Sequence, residues 1–190
     1  KGGVPGHIRV EEVPFETFGD VEQAILQLGK VTGEDANALQ LLEKLRGELE
    51  AVRAEVARVG QGQRPRVLLV IGRDAGALRH VYGASGGSFL VYALGVAGGD
   101  DALGLDAYWP PLSTEQIVQA DPDIILELAP GQPGVLEDVR GVWRAALPAL
   151  KAVRENRIYL LTDDALLIPG PRLYLAARRM AEVVVWANVS

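Results

Sequence analysis

From Glu34 to Val59 the apolar residues Leu42, Leu45, Leu49, Val52, Val56 and Val59 recur at alternating spacings of three and four. One stripe of that period predicts a single helix of about 26 residues, roughly 39 Å long at 1.5 Å per residue. Glu43, Lys44, Arg46, Glu50, Arg53, Glu55 and Arg58 fill the opposite positions. The run is single, without further heptads, and so predicts a helix packed along a domain rather than a coiled coil. Ahead of it, Ile8, Val10 and Val13 alternate with polar residues until Pro14, which predicts a strand over 7–13. Asp20 is placed as the cap of a helix over 21–31 with Ala24, Ile25 and Leu28 on its apolar face, and Thr32-Gly33 breaks the chain.

After the short linker GQGQRP (60–65) strands and helices alternate. RVLLVI (66–71) is a continuous apolar run, as expected of a strand buried on both faces. A helix follows near 88–97, stopped by Gly98-Gly99, and another over 114–120. DIILEL (123–128) predicts a second buried strand, 136–146 a helix, and RIYLL (157–161) a third strand. Pro171 suits the first turn of a final helix reaching Ala187. Strands separated by helices predict a parallel α/β sheet. The chain thus divides into 1–33, a connecting helix over 34–59, and a larger α/β unit over 60–190.

Composition narrows the classes. The chain has 190 residues, 48% hydrophobic and 23% charged, which is ordinary for a globular protein. Its net charge of -6 provides no basic field, so nucleic acid is not an expected partner. With no cysteine, this stretch has no disulfide, thiolate zinc site or lipidated cysteine. No window reaches the ~18 consecutive apolar residues needed to span a bilayer. KGGVPGHIRVEEV lacks the charged-then-apolar order of a secretory signal, so the chain reads as a mature or truncated piece.

In an open parallel sheet, ligands lie beyond the carboxyl ends of the strands. Gly72-Arg73, Leu128–Gly131 and Thr162–Asp164 mark three such ends, and the loop 79–88 and segment 108–111 are placed along the same edge. Together they offer Arg73, Arg79, Tyr82, Tyr108, Trp109, Asp163 and Asp164, a rim poor in proton-transfer groups. Trp109, held between Tyr108 and Pro110-Pro111 on a stiff extended segment, either covers the sheet end or stacks on a flat ligand. Ser113-Thr114-Glu115-Gln116 is a capping box, and Glu115 falls in the first turn, where the helix dipole favours negative charge. YGASGGS (82–88) matches neither nucleotide-loop fingerprint and reads as a tight turn before a helix. Asp163 and Asp164, adjacent on extended chain, point apart and predict no joint acid–base work. His7 and His80 predict no shared metal site.

The helix ending in LGKVTG, the long helix EDANALQLLEKLRGELEAVRAEVA, the run RPRVLLVIGRD, the block WPPLSTEQIVQADPDIIL and the ending NRIYLLTDDALLIPGPRLYLAARRMAE succeed one another in a particular order. That succession resembles the class III (helical-backbone) periplasmic substrate-binding proteins of ABC importers, which carry cobalamin, haem or ferric siderophores. The resemblance implies a long backbone helix leading into a parallel-sheet, three-layer α/β carboxyl-terminal lobe. Residues 1–33 resemble only the last strand and helix of the amino-terminal lobe; roughly a hundred residues of the pattern, an ordinary domain's worth, are absent. A fragment or a half-receptor is implied, and the apolar face left by a missing lobe predicts self-association. The family implies no catalysis, no intrinsic cofactor, a membrane permease as partner, and a periplasmic or membrane-anchored extracytoplasmic location.

Cobalamin-binding members look nearest around WPPLSTEQ. By that likeness Trp109 contacts the corrin, Glu115 meets a permease arginine, and Asp164 is a kept aspartate. Ile168 and Ala165 depart from the pattern, where an arginine and an aromatic are usual, and leave the cargo open. Tyr82 or Tyr108 as haem ligands, and Arg73 or Arg79 against siderophore carboxylates, are the other options. Two other functions remain on the residues alone: a small α/β enzyme acting on a phosphorylated substrate through YGASGGS with His80 nearby, and an interaction domain that dimerises through the long helix.

Overall fold

The computed structural model describes residues 12–59, 64–131 and 136–187. The strand expected over 7–13 lies chiefly outside the described residues. The first element is α1 (Phe18–Thr32), and its cap is Thr17 rather than Asp20. Thr17 accepts the Asp20 N–H while the Asp20 carboxylate accepts the Thr17 N–H at 2.8 Å, a reciprocal box that starts the helix three residues early. Its buried face is Val21, Ile25 and Gly29, whereas Leu28 is 52% exposed. Gly33 ends it in the left-handed conformation, at φ 75°.

The long helix α2 (Asp35–Val59) has 25 residues, and its stripe is core. Ala38, Leu42, Leu45, Leu49 and Val52 are buried, Val56 is partly so, and Val59 lies exposed at the end. The stripe is occupied by the protein's own helices, which removes it as a dimerisation seam. At the α1–α2 corner, a Cβ built on Gly29 would stand 2.4 Å from the Ala38 Cβ, so only glycine permits this approach.

The sheet contains β1 (Arg66–Gly72), β2 (Val81–Ala84), β3 (Asp100–Asp101), β4 (Pro111–Leu112), β5 (Ile124–Leu128) and β6 (Ile158–Leu161). Its order is β4-β2-β1-β5-β6, with β3 beside the start of β1. The central strands β1, β5 and β6 are parallel, as the apolar runs predict, and β3 joins β1 in parallel. The sheet is mixed, because β2 returns antiparallel on β1 and β4 lies antiparallel on β2. Helices cover both faces. α1, α2, α3 (Phe89–Val96) and α7 (Leu173–Ala187) build one hydrophobic cluster. α4 (Thr114–Ala120), α5 (Leu136–Ala146) and α6 (Lys151–Arg154) build the other. Pro171 precedes the last helix in a turn instead of occupying its first turn. The arrangement is a long helix feeding a three-layer α/β lobe.

Candidate ligand rim at the carboxyl edge

The β1–β2 hairpin brings one group of candidates to the strand ends. Arg73, first after β1, turns inward: its Nε donates to Glu127 at 2.7 Å, and its Nη1 donates to the carbonyls of Asp74 at 3.0 Å and Ala77 at 3.4 Å. The two side chains are only 10% and 8% exposed. The Trp143 indole N–H donates to the same Glu127 oxygen at 2.6 Å. Arg73 is therefore a strut of the hairpin, against the expectation that it meets a ligand anion. Glu127 was legible: a carboxylate inside a buried strand requires a partner. Arg79 does reach solvent, 76% exposed and 3.5 Å from Asp74.

A second hydrogen-bonded ladder places the aromatics. Val81 faces Leu112 and Tyr82 faces Pro111; the Gly83 N–H donates to Pro110 and the Ser85 N–H to Tyr108. Continuing that register sets Ala84 opposite Trp109. Alternation along extended chain then puts Tyr82, Ala84 and Trp109 on one sheet face and Val81 and Leu112 on the other. The cores agree, with Ala84 and Trp109 in the α1–α2–α3–α7 cluster and Val81 and Leu112 in the opposite one. Tyr108, next to Trp109 in the chain, is exposed. Tyr82 pairs with Gly72 at the carboxyl edge, but Ala84 pairs with Leu69. Trp109 accordingly sits about 10 Å back from that edge at ~3.3 Å per residue, a correction to its expected place at the rim. The cause is the antiparallel return of β2.

Trp109 is half-buried, edge-on to Phe89 with ring centroids 5.3 Å apart, and its indole N–H donates to the Glu16 carboxylate. The Phe89 N–H donates to the Glu16 carbonyl at 2.8 Å, and Thr17 bridges Ser88. The loop after β2 is packed, not open to an anion. Ser85 and Ser88 are fully buried; Ser85 Oγ donates to Asp101 and accepts the Leu105 N–H at 2.9 Å. A Cβ on Gly86, at φ 59°, would meet the Ala107 backbone at 2.7 Å. The phosphate-loop reading fails on this packing. Glu16 and Asp101 gave no local signal in the sequence, since their partners lie far along the chain.

At the opposite margin of the sheet the loop after β6 carries Asp163 and Asp164. Asp163 accepts from Arg179 at 3.1 Å and holds that guanidinium above its ordinary pKa. Asp164 is exposed, and its Oδ1 would lie 3.7 Å from a Cβ on Gly131. Both aspartates line a cavity of about 490 Å³ with Arg172, Leu175, Arg178 and Arg179. Four strand spacings of ~4.8 Å separate this margin from the Trp109 segment, about 19 Å in all. Glu115 stands exposed in the first turn of α4, whose capping box is formed as expected, with the Ser113 N–H donating to Gln116 at 2.9 Å. Among the described residues no three His, Asp or Glu groups assemble as a metal site.

The family model of a periplasmic binding protein matches residues 7–165. The chain belongs to the periplasmic binding protein family. YvrC of Bacillus subtilis, an uncharacterized ABC transporter substrate-binding lipoprotein, is 22% identical over 169 residues, which are 89% of this chain and 51% of that protein. The high-affinity heme uptake system protein IsdE of Staphylococcus aureus is 26% identical over 156 residues, 78% of this chain and 50% of its own length. The periplasmic vitamin B12 binding protein BtuF of Vibrio cholerae has the same fold, with a TM-score of 0.71 at 18% identity over 94% of this chain and 65% of that one. The helical-backbone class anticipated from the motif order is therefore the class of its structural neighbours. The chain spans about half the length of the curated relatives it matches.

Proposed function

We propose that this chain supplies the backbone helix and one lobe of the substrate-binding component of an ABC importer. The cargo is a metal chelate of the cobalamin, haem or ferric-siderophore type, passed to a membrane permease without any covalent step. The observation that carries the reading is Tyr82, exposed and paired with Gly72 at the carboxyl edge, with exposed Arg79 three residues before it and half-buried Trp109 set behind it. An aromatic face of this kind suits a flat ligand. Arg79 and Asp164 are the exposed charges of the rim, Tyr108 is an exposed aromatic beside Trp109, and Glu115 is the docking carboxylate for a basic residue of the permease. The proposed location is the periplasm or the outer leaflet side of a membrane anchor; no described helix is long and apolar enough to cross a membrane. Exposed Leu26, Leu28 and Val31 on α1 and Leu39 and Leu41 on α2 are the surface assigned to self-association.

Titration of the protein at its full natural length with cyanocobalamin, haemin and ferric siderophores, followed by tryptophan fluorescence, tests the reading. One chelate is expected to bind saturably and to bind the Trp109→Ala variant more weakly. Failure of all of them to bind overturns it.

A further inference from the structure

We propose that the outer face of α4 is a two-part docking surface, in which an apolar cleft one helical turn beyond Glu115 takes a leucine, isoleucine or phenylalanine side chain of the permease segment whose basic residue meets that carboxylate. The proposal rests on the importer reading and adds an uncharged contact to the charged one. Glu115 and Val118 stand three residues apart on α4, and both are exposed. That spacing puts their Cβ atoms about 5–6 Å apart on one face of the helix. Beyond Val118 a cavity of about 330 Å³ lies between α4 and the turn that joins α5 to α6, with Leu147, Pro148 and Leu150 in its other wall. That turn belongs to the run Ala145-Ala146-Leu147-Pro148-Ala149-Leu150, apolar throughout, of which Ala145, Ala146, Pro148 and Ala149 are exposed. An uncharged turn facing an exposed valine makes a contiguous apolar patch, the kind of surface that marks an interaction site.

Both walls of the cleft are fixed in advance. The Leu147 N–H donates to the carbonyl of the fully buried Trp143 at 2.8 Å. The Asp121 carboxylate, at the end of α4, accepts the Lys151 N–H at 2.9 Å and so ties the helix to the far side of the turn. A cleft held open in this way loses little freedom when a side chain enters it. Its lining selects such a side chain over a free ligand: Asp121 is the one polar side chain there, and its carboxylate already holds the Lys151 N–H. A small-molecule site needs several converging polar groups to fix orientation. Charge then selects the partner. Lys151 pairs with Asp123 at 2.6 Å and Arg144 with Glu137 at 3.1 Å, whereas Glu115 has no ion pair among the described residues. A free carboxylate at the head of an apolar cleft matches a cation followed one turn later by an apolar anchor, and it repels anionic lipid headgroups.

The test measures binding of the protein at full natural length to its permease in lipid nanodiscs, with empty nanodiscs as the control. Val118→Asn makes one wall polar without adding charge, and Ala146→Gln fills the cleft from the other wall; both positions are exposed, so the core is spared. Each variant is expected to keep chelate affinity and to lose permease affinity by about tenfold or more. That loss is expected to be equal at ~0.05 M and ~0.5 M salt, whereas the loss in Glu115→Gln fades at the higher concentration. Docking weakened by Glu115→Gln but by neither cleft variant overturns the proposal and leaves Glu115 and the importer reading standing. Binding to empty nanodiscs that Val118→Asn abolishes overturns it in favour of lipid. A dimer in sedimentation that Val118→Asn disperses overturns it in favour of a second copy of the chain. A chelate bound without permease docking by any form removes the whole α4 surface, and neither chelate nor permease bound removes the importer reading with it.

Discussion

The indole N–H of Trp109 donates to the carboxylate of Glu16, a residue 93 positions earlier in the chain. Charge-assisted bonds of this kind contribute about 1.5–3 kcal/mol. Here the bond also fixes which edge of the half-buried indole is covered. Glu16→Ala is expected to shift tryptophan emission to longer wavelength and to weaken chelate binding in parallel with Trp109→Ala. Emission and affinity both unchanged in Glu16→Ala would show that the bond does not orient the ring.

Arg73 and Glu127 form a buried pair in which neither partner is dispensable alone. Arg73→Met strands the Glu127 charge and is expected to lower stability by about 3–5 kcal/mol. Arg73→Met with Glu127→Gln should lose clearly less, because no charge stays buried and the amide oxygen still accepts from Trp143. Urea unfolding of the two variants measures the difference.

Glu115 is exposed, and its side chain has no ion pair among the described residues. Glu115→Ala is expected to cost under about 1 kcal/mol of stability, through the helix dipole alone. Chelate affinity should be unchanged, while co-purification with the permease is lost or reduced. Equal losses of both would show that the carboxylate belongs to the ligand site.

Stability should also fall with acid through the α1 cap. The Thr17 backbone N–H, then the Thr17 side chain, and more weakly the Glu16 N–H hold the Asp20 carboxyl below its ordinary value of 3.8. A carboxyl whose folded pKa is depressed stabilises above its unfolded value and loses that contribution as pH falls through the folded one. As pH falls below about 4 the gap in urea midpoint between the native protein and Asp20→Asn is expected to narrow.

Much of the lobe was legible because its elements carry their own local punctuation. The helices at 114–120 and 136–146 and the stripe from Leu42 to Val52 appear where periodicity placed them. The antiparallel strands did not, being short and containing Gly83 and Pro111, residues that read as turn. That one omission misplaced Trp109 along the sheet. Asp20, directly ahead of the apolar run, reads as a cap, although Thr17 three residues earlier completes the box. Of the candidate rim, Tyr82, Arg79 and Asp164 are exposed, although Tyr82 lies within β2 where the sequence reads as a loop. Arg73 does not, since its partner was visible only as an unexplained charge within DIILEL.

Gly29 and Ala38 touch so closely that a single methyl group on the glycine would collide. The angle at which the first two helices meet is thus set where a side chain is missing, and any larger residue at position 29 has to prise that corner open.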